Sequence, residues 1–326
     1  MHKIASHLPE YDCYFSQIYD NAPHVKFALK AGLLDRTIMS GTLKRKSEEY
    51  LQANQLKNDY ANSVYRNEYD MAVLCTDMII PNEFKKIKTV FVQEGMTDVL
   101  TNWGKIIKTL GLPAYLTLDT SLNGSSNRCD VYCVASQGYK NHFSSMGTDE
   151  GKIVVTGIPN FDNVQEYINN DFPLKKYVLV ATSDIRECFG IDNRKKFIAD
   201  AVTIADGRQL IFKLHPNEVV KRAVKEIKEN TPEGTIIYTS GNVNHMIANC
   251  DELITQYSTL VYVGIVLGKK VHSYFDVEQL KRLVPAQNDG TSAKNIASIC
   301  REYIEFTGTK ENFLNSIAKN NREVAA

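Results

Sequence analysis

His215 sits between an apolar stretch, Leu210-Ile-Phe-Lys-Leu214, and the pair Pro216-Asn217. The stretch reads as a strand, and Pro216 fits the first turn of a following helix. A histidine at such a junction can donate to a phosphate while the helix N-terminus adds partial positive charge. Its ordinary pKa near neutrality also suits it to protonate a leaving phosphate. Ser258-Thr259 marks a second strand-to-helix turn, whose hydroxyls and N–H groups would hold an anion or serve as an N-cap. Ser240-Gly241 is a third turn of this kind, with Asn242 or Asn244 as its cap.

Two carboxylates complete the set. Glu94, in Phe91-Val-Gln-Glu-Gly-Met96, follows an apolar run and precedes a glycine turn. There it can act as a general base on a hydroxyl, stabilise an oxocarbenium-like centre, or be a solvated turn residue. Asp184 closes another apolar run, with Arg186 nearby. It can pair with that arginine, contact a donor sugar, or attack an anomeric carbon as a nucleophile.

These residues converge only if the runs before them are strands of open α/β sheets, which bind ligands beyond their carboxyl ends. Strand candidates in the first half are Met71–Cys75, Thr89–Val92, Val131–Ala135 and Lys152–Thr156. A second series comprises Tyr177–Ala181, Leu210–Leu214, Ile236–Tyr238, Glu252–Thr255 and Lys270–Tyr274. Their ends carry Gln93-Glu94-Gly95, Gly157-Ile-Pro159, Thr182-Ser-Asp184, His215-Pro216, Ser240-Gly241 and Gln256-Tyr-Ser-Thr259, a polar and small-residue set suited to a sugar nucleotide. Helical spacing is read at 99–110, where Val99, Leu100, Trp103, Ile106, Ile107 and Leu110 recur. Further helices are expected at 136–146, 192–206, 217–229, 243–249 and 258–267, and from Ala293 onward with Ile296, Ile299, Tyr303 and Ile304 on one face. Before residue 70 the pattern is weak, with a strand at Arg36–Met39 and a polar helix at Ser47–Tyr60. The polar, proline-containing stretch 159–176 is the natural boundary.

The bulk numbers agree with a globular α/β protein of two domains: 326 residues, 43% hydrophobic and 23% charged. A formal charge of zero argues against nucleic acid as a partner. No apolar run approaches the roughly 20 residues of a membrane span, and Met1-His2-Lys3-Ile4 does not open a signal peptide. A cytoplasmic location is therefore expected. The seven cysteines have no metal spacing, and no metal or cofactor is assigned.

Asp130-Val-Tyr-Cys-Val-Ala-Ser136 followed by Lys152-Ile-Val-Val-Thr-Gly-Ile-Pro-Asn-Phe-Asp162 is similar to the end of the N-terminal domain in GT-B glycosyltransferases of bacterial surface polysaccharides. Cys250-Asp-Glu-Leu-Ile-Thr-Gln-Tyr-Ser-Thr259 with Leu267-Gly-Lys-Lys-Val271 resembles their donor-binding segment. The resemblance covers 70–275. It implies two Rossmann-like domains facing a cleft: an acceptor-side domain at 1–160, a linker at 161–176, a donor domain at 177–292, and a C-terminal helical segment at 293–326 returning to the first domain. CMP-sugar transferases of this fold carry an acidic-acidic-glycine turn, a His-Pro and a Ser-Ser/Thr pair. These are matched in order by Gln93-Glu94-Gly95, His215-Pro216 and Ser258-Thr259, with Gln93 departing from the first acid.

By resemblance, Glu94 is the acid/base, His215 contacts the donor phosphate, and Asp184 matches the nucleophile of retaining β-Kdo transferases. The implied donor site adds Gly157, Pro159, Arg186, Pro216, Asn217, Ser240, Gly241, Gln256, Ser258 and Thr259. Val263 stands where UDP-sugar enzymes hold a ribose-binding Glu, which favours a CMP donor. The expected activity is transfer of Kdo or a related nonulosonic acid from CMP-Kdo or its kin to a lipopolysaccharide or capsule glycan, a setting that allows peripheral contact with the inner membrane or a polysaccharide synthesis complex. Alternatives are a CDP-glycerol or ribitol phosphotransferase of the teichoic-acid type, a UDP-N-acetylglucosamine 2-epimerase-like enzyme, loosely echoed by Phe91-Val-Gln-Glu-Gly95, and a non-catalytic GT-B scaffold.

Overall fold

The computed structural model describes all residues except 17–22, 36–38, 60–66, 82, 118, 188–189 and 324–326. The chain divides into two units, one of residues 1–160 and 288–326, the other of 161–287. The strand expected at Arg36–Met39 lies mainly outside the described residues, as does Cys188.

In the first unit, α1 (His2–Ala5), β1 (Tyr14–Phe15), α2 (Pro23–Lys30), α3 (Gly41–Ala53) and β2 (Lys57–Asn58) precede the sheet. The polar helix read at Ser47–Tyr60 is thus displaced: it begins at Gly41 and ends at Ala53, because β2 pairs with β1 directly after it. Next come β3 (Met71–Leu74), β4 (Lys88–Val92), α4 (Asn102–Thr109), β5 (Val131–Val134), α5 (Gln137–Ser145) and β6 (Ile153–Val155). The four later strands form a parallel sheet in the order β3-β4-β5-β6. Every residue of β5 is buried, as a parallel strand covered on both faces must be. Thr101 and Ser136 start α4 and α5 as N-caps, accepting from Gly104 N–H at 3.0 Å and Tyr139 N–H at 3.3 Å.

Asp77, fully buried, holds the chain before β5. Its carboxylate accepts from Gly124 N–H, Ser126 N–H, the Ser126 hydroxyl and the Tyr132 hydroxyl, at 2.7 to 3.0 Å. The apolar spacing over 99–110 does form a helix, but only Gly104 and Ile107 are buried. Trp103, Ile106 and Leu110, on the same apolar spacing as Ile107, stay exposed.

The second unit runs β7 (Val178–Ala181), α6 (Arg194–Ala205), β8 (Leu210–Lys213), α7 (Val220–Asn230), β9 (Ile236–Tyr238), α8 (Val243–Asn249), β10 (Glu252–Thr255), α9 (Leu260–Val266), β11 (Lys270–His272) and α10 (Val277–Leu283). Its strands form one parallel sheet, β11-β10-β7-β8-β9. Ala181 stands level with both Lys213 and Thr255, so β7, β8 and β10 end together. From β7 the chain winds one way to β8 and β9, then returns past β7 to β10 and β11. The β7/β10 junction is therefore a topological switch point, where open α/β sheets leave a crevice. Phe197, Ile198 and Ala201 of α6 and Ala223 and Ile227 of α7 cover Val178, Val180 and Phe212.

Two final helices, α11 (Ser292–Glu305) and α12 (Lys310–Glu323), belong to the first unit. Ile296, Ala297, Cys300, Tyr303 and Phe313 pack on Val90, Val92, Val131 and Cys133. Lys88 fastens the end of α11: its Nζ donates to the carbonyls of Tyr303, Ile304 and Phe306 at 2.6, 2.8 and 2.8 Å. Among the described residues, no helix is long and apolar enough to cross a membrane.

At the start of β10, Glu252 meets Arg208 at 2.8 Å, His272 at 2.8 Å and Lys270 at 3.2 Å. Burial opposes its charge, but hydrogen bonds from these three outweigh it and hold the carboxyl at about 2, down from 4.5. A depressed folded-state value gives stability that is complete above the unfolded value and is lost as pH falls through the folded one. Glu252 should therefore contribute fully above pH 4.5 and progressively less down to about 2. Urea midpoints across this range should fall less steeply for Glu252→Gln than for the wild type.

Candidate functional site

The turn after β8 is organised by a carboxylate that follows the histidine by three residues. Glu218 is fully buried at its side chain and accepts from His215 N–H at 3.0 Å and from the Thr182 hydroxyl. Its second oxygen pairs with the Arg194 guanidinium. His215 N–H also reaches the Thr182 oxygen at 3.0 Å, and the His215 carbonyl accepts from Glu218 N–H at 3.1 Å. These bonds close a turn over His215–Glu218, so α7 begins only at Val220. Pro216 is therefore outside the first helical turn, and His215 gains no direct helix N-terminus. What fixes it is the buried carboxylate.

Arg194 opens α6 and is only 4% exposed. Burial pushes its pKa down, and Asp192 at 3.8 Å and Glu226 at 3.9 Å oppose that shift. Arg186 donates to both oxygens of Glu226 at 2.8 Å, and this pairing raises its pKa. Of the roles open to Asp184, the ion pair with Arg186 does not form, since Glu226 holds the guanidinium. Arg186 thereby braces the loop after β7.

The His215 ring is about one third exposed. Its Nδ1 accepts from Asn217 N–H at 3.2 Å, which places the proton of the neutral ring on Nε2. Asp184 Oδ2 lies 3.5 Å from the same Nδ1 and accepts from Asn217 Nδ2 at 2.8 Å. Protonated, Nδ1 would no longer accept from Asn217 N–H and would face Asp184 as a donor.

On the neighbouring strand, the Ser183 hydroxyl donates to the Tyr257 carbonyl at 3.4 Å and links the ends of β7 and β10. Ser258 Oγ accepts from Leu260 N–H at 3.3 Å, whereas Thr259 occupies the N-cap of α9 without a side-chain cap bond. Gln256 is fully buried and donates to Asp192 at 2.8 Å. Ser240-Gly241 follows β9, where Gly241 has φ +98° and Asn242 caps α8 through Asn244 N–H at 3.0 Å. The second unit thus brings Asp184, His215, Pro216, Asn217, Gln256, Ser258 and Thr259 to the adjacent ends of β10, β7 and β8, with Ser240 and Gly241 one strand further along.

The other expected site residues lie in the first unit. Glu94 is exposed after β4, and its carbonyl accepts from Asn160 Nδ2 at 3.3 Å. With His2, Tyr50, Pro159 and Asn160 it borders a cavity of about 390 Å³. Gln93, buried, accepts from Ala135 N–H at 2.9 Å and donates to the Gly95 carbonyl at 2.7 Å. A glutamate there would keep the first bond and lose the second. Gly157 has φ +71°, and a Cβ on it would come within 2.2 Å of Ser292 Oγ. Close approach by α11 accounts for this glycine without a ligand.

Sequence reasoning passes over Glu218 and takes Thr182 only as one polar residue at a strand end. The basic run Arg194-Lys-Lys196 reads from sequence as a solvated face, which the burial of Arg194 overturns. A signal for Glu218 was present in His215-Pro-Asn-Glu218, because an acid three residues on can reach back to a turn's first N–H, as in a capping box. Arg194 had no local signal, since its partner is distant in sequence.

No protein-family model matches the sequence, and no curated protein matches it. Solved structures do resemble it. One from Listeria monocytogenes, described as a UDP-N-acetylglucosamine 2-epimerase, matches with TM-score 0.50 and 16% identity over 80% of this chain and 77% of its own. S. aureus MnaA, solved with UDP, matches with TM-score 0.52 and 14% identity over 95% and 94%. The wall teichoic acid polymerase TagF matches with TM-score 0.46 and 13% identity over 93% of each chain. The first two likenesses show the fold, which is α/β with two Rossmann-like units of the GT-B class.

Removing Arg194 would leave the Glu218 carboxylate buried without its cation, a defect of about 3–5 kcal/mol. Arg194→Met should therefore unfold at markedly lower urea. The double variant Arg194→Met/Glu218→Gln should recover a large part of that loss, and equal losses in both would refute the pairing.

Proposed function

We propose that this chain is an enzyme acting on a nucleotide-activated sugar, and that the second unit binds the donor. The observation that carries the reading is the His215 ring, anchored through Glu218 and steered by Asp184 and Asn217, at strand ends shared with Ser258-Thr259. In this reading His215 Nε2–H and the Ser258 and Thr259 hydroxyls receive the phosphate. As the anomeric C–O bond breaks, imidazolium neutralises the departing phosphate or gives it the Nε2 proton. Asp184 then holds the proton left on Nδ1. Its contacts with Asn217 and His215 favour that positioning role over attack on the sugar. Glu94 is the proposed base for the acceptor hydroxyl.

Within this class, transfer of Kdo or a related nonulosonic acid from a CMP donor to a bacterial surface glycan remains the first reading. It is supported by α9, which carries no carboxylate to hold ribose hydroxyls and buries Val263. The second reading is a UDP-sugar enzyme of the 2-epimerase type, favoured by the likeness to the MnaA structure that contains UDP.

Thermal unfolding with CMP, CDP, UDP and GDP separates them. Ligand at about 100 times its Kd adds about 2.7 kcal/mol to the folded state. CMP should raise Tm, and His215→Ala should remove most of the increase. Glu94→Gln should keep the increase while abolishing transfer. Stabilisation by UDP in place of CMP would sink the CMP reading and leave the second one standing.

A further inference from the structure

The residues before the sheet of the first unit are anchored to it. Ile4 of α1 and, just past that helix, Leu8 enter the core built by α11 and the strands. Arg301 of α11 secures the same stretch, donating to the His7 carbonyl at 2.8 Å and pairing with Glu10. Leu51 of α3 is buried as well. This anchoring sets His2, Phe15 and Tyr50 around the cavity of about 390 Å³ that Glu94 borders. Its whole lining belongs to the first unit.

One wall of the cavity is aromatic. The His2 ring stands edge to face against Phe15 and Tyr50, with centroids 6.4 and 5.9 Å away. Its Nδ1 lies 2.9 Å from the Tyr50 hydroxyl, a bond that holds the Tyr50 ring although it is 52% exposed. Lys3 and Glu94 are the charged side chains of the lining, one of each sign, so an anionic ligand gains no net attraction. A lipid chain would leave the hydroxyl, the imidazole and the carboxylate facing hydrocarbon. A sugar ring satisfies both sides, laying its C–H face on an aromatic ring and its hydroxyls on the polar groups. The volume is that of a small-molecule site.

We infer that this cavity receives a neutral pyranose ring, with Tyr50 as its stacking platform and His2 as the residue that positions Tyr50. That this sugar is the acceptor rests on the role proposed for Glu94.

The probes are methyl hexopyranosides, followed by saturation-transfer NMR on the full chain. At least one should bind, with its ring C–H protons receiving the most saturation. Tyr50→Ala should weaken that binding roughly tenfold, and Tyr50→Phe should retain most of it. His2→Ala should weaken it with Tyr50 in place. Tyr50→Ala should leave Tm unchanged and preserve the rise in Tm produced by the nucleotide. Absence of saturation transfer to every pyranoside, or binding indifferent to Tyr50→Ala, overturns the inference. So does tighter binding of methyl glucuronide than of methyl glucoside, or a nucleotide response lost with Tyr50, which would give the cavity to the donor. Pyranoside binding without any nucleotide response would sink the donor reading and leave the sugar site standing.

Discussion

Burying a carboxylate is tolerable only when its lost hydration is replaced on every side, and Glu218 shows how much of a structure that replacement can recruit. Its oxygens engage a hydroxyl from the end of β7, a backbone N–H from the turn after β8 and a guanidinium from the start of α6. Three segments far apart in sequence are thereby tied to one side chain. Arg194 is buried in its turn and draws in Asp192 and Glu226, while Glu226 takes up Arg186. Such a network adds little net stability over apolar packing, yet losing one member exposes the whole desolvation cost of the others. Geometry is what it supplies: the turn bearing His215 has little freedom left.

That rigidity matters because of where the sheet puts the turn. The matched ends of β7, β8 and β10 give one level rim, and the reversal of strand order beside β7 leaves room above it. On this rim the polar groups divide into supports and those left outward. Gln256, Thr182 and Glu218 are buried supports, whereas His215 and Asp184 are partly exposed. In the first unit Gln93 is a support of the same kind, joining β4 to β5 beneath the exposed Glu94.

Much of this architecture was legible in the sequence, for a physical reason. Parallel strands covered on both faces must be continuously apolar, so the runs at Val131–Val134 and Val178–Ala181 stand out from their surroundings. Periodicity was equally clear around Trp103, but it reports spacing and not direction, and the stripe faced outward. His215 stands out by its position, but what fixes it is a carboxylate three residues later and not a helix N-terminus. The opening residues were least legible because their order comes from short pieces: β1 and β2 are two residues each, and their pairing spans some forty positions. Arg194 illustrates the general limit, since a long-range ion pair leaves no trace in local pattern.

The tail has a consequence for the order in which the protein acquires its shape. Ile296, Cys300, Tyr303 and Phe313 fill one face of a sheet whose strands end by Val155. Between the two lies the whole contiguous second unit, residues 161–287. During synthesis the second unit can close around its own core as soon as it leaves the ribosome. The first, although made earlier, must wait with Val90, Val92 and Val131 uncovered until α11 and α12 emerge. The contiguous second unit can thus complete its core first, and Val90, Val92 and Val131 are left without the cover of α11 and α12 for longest.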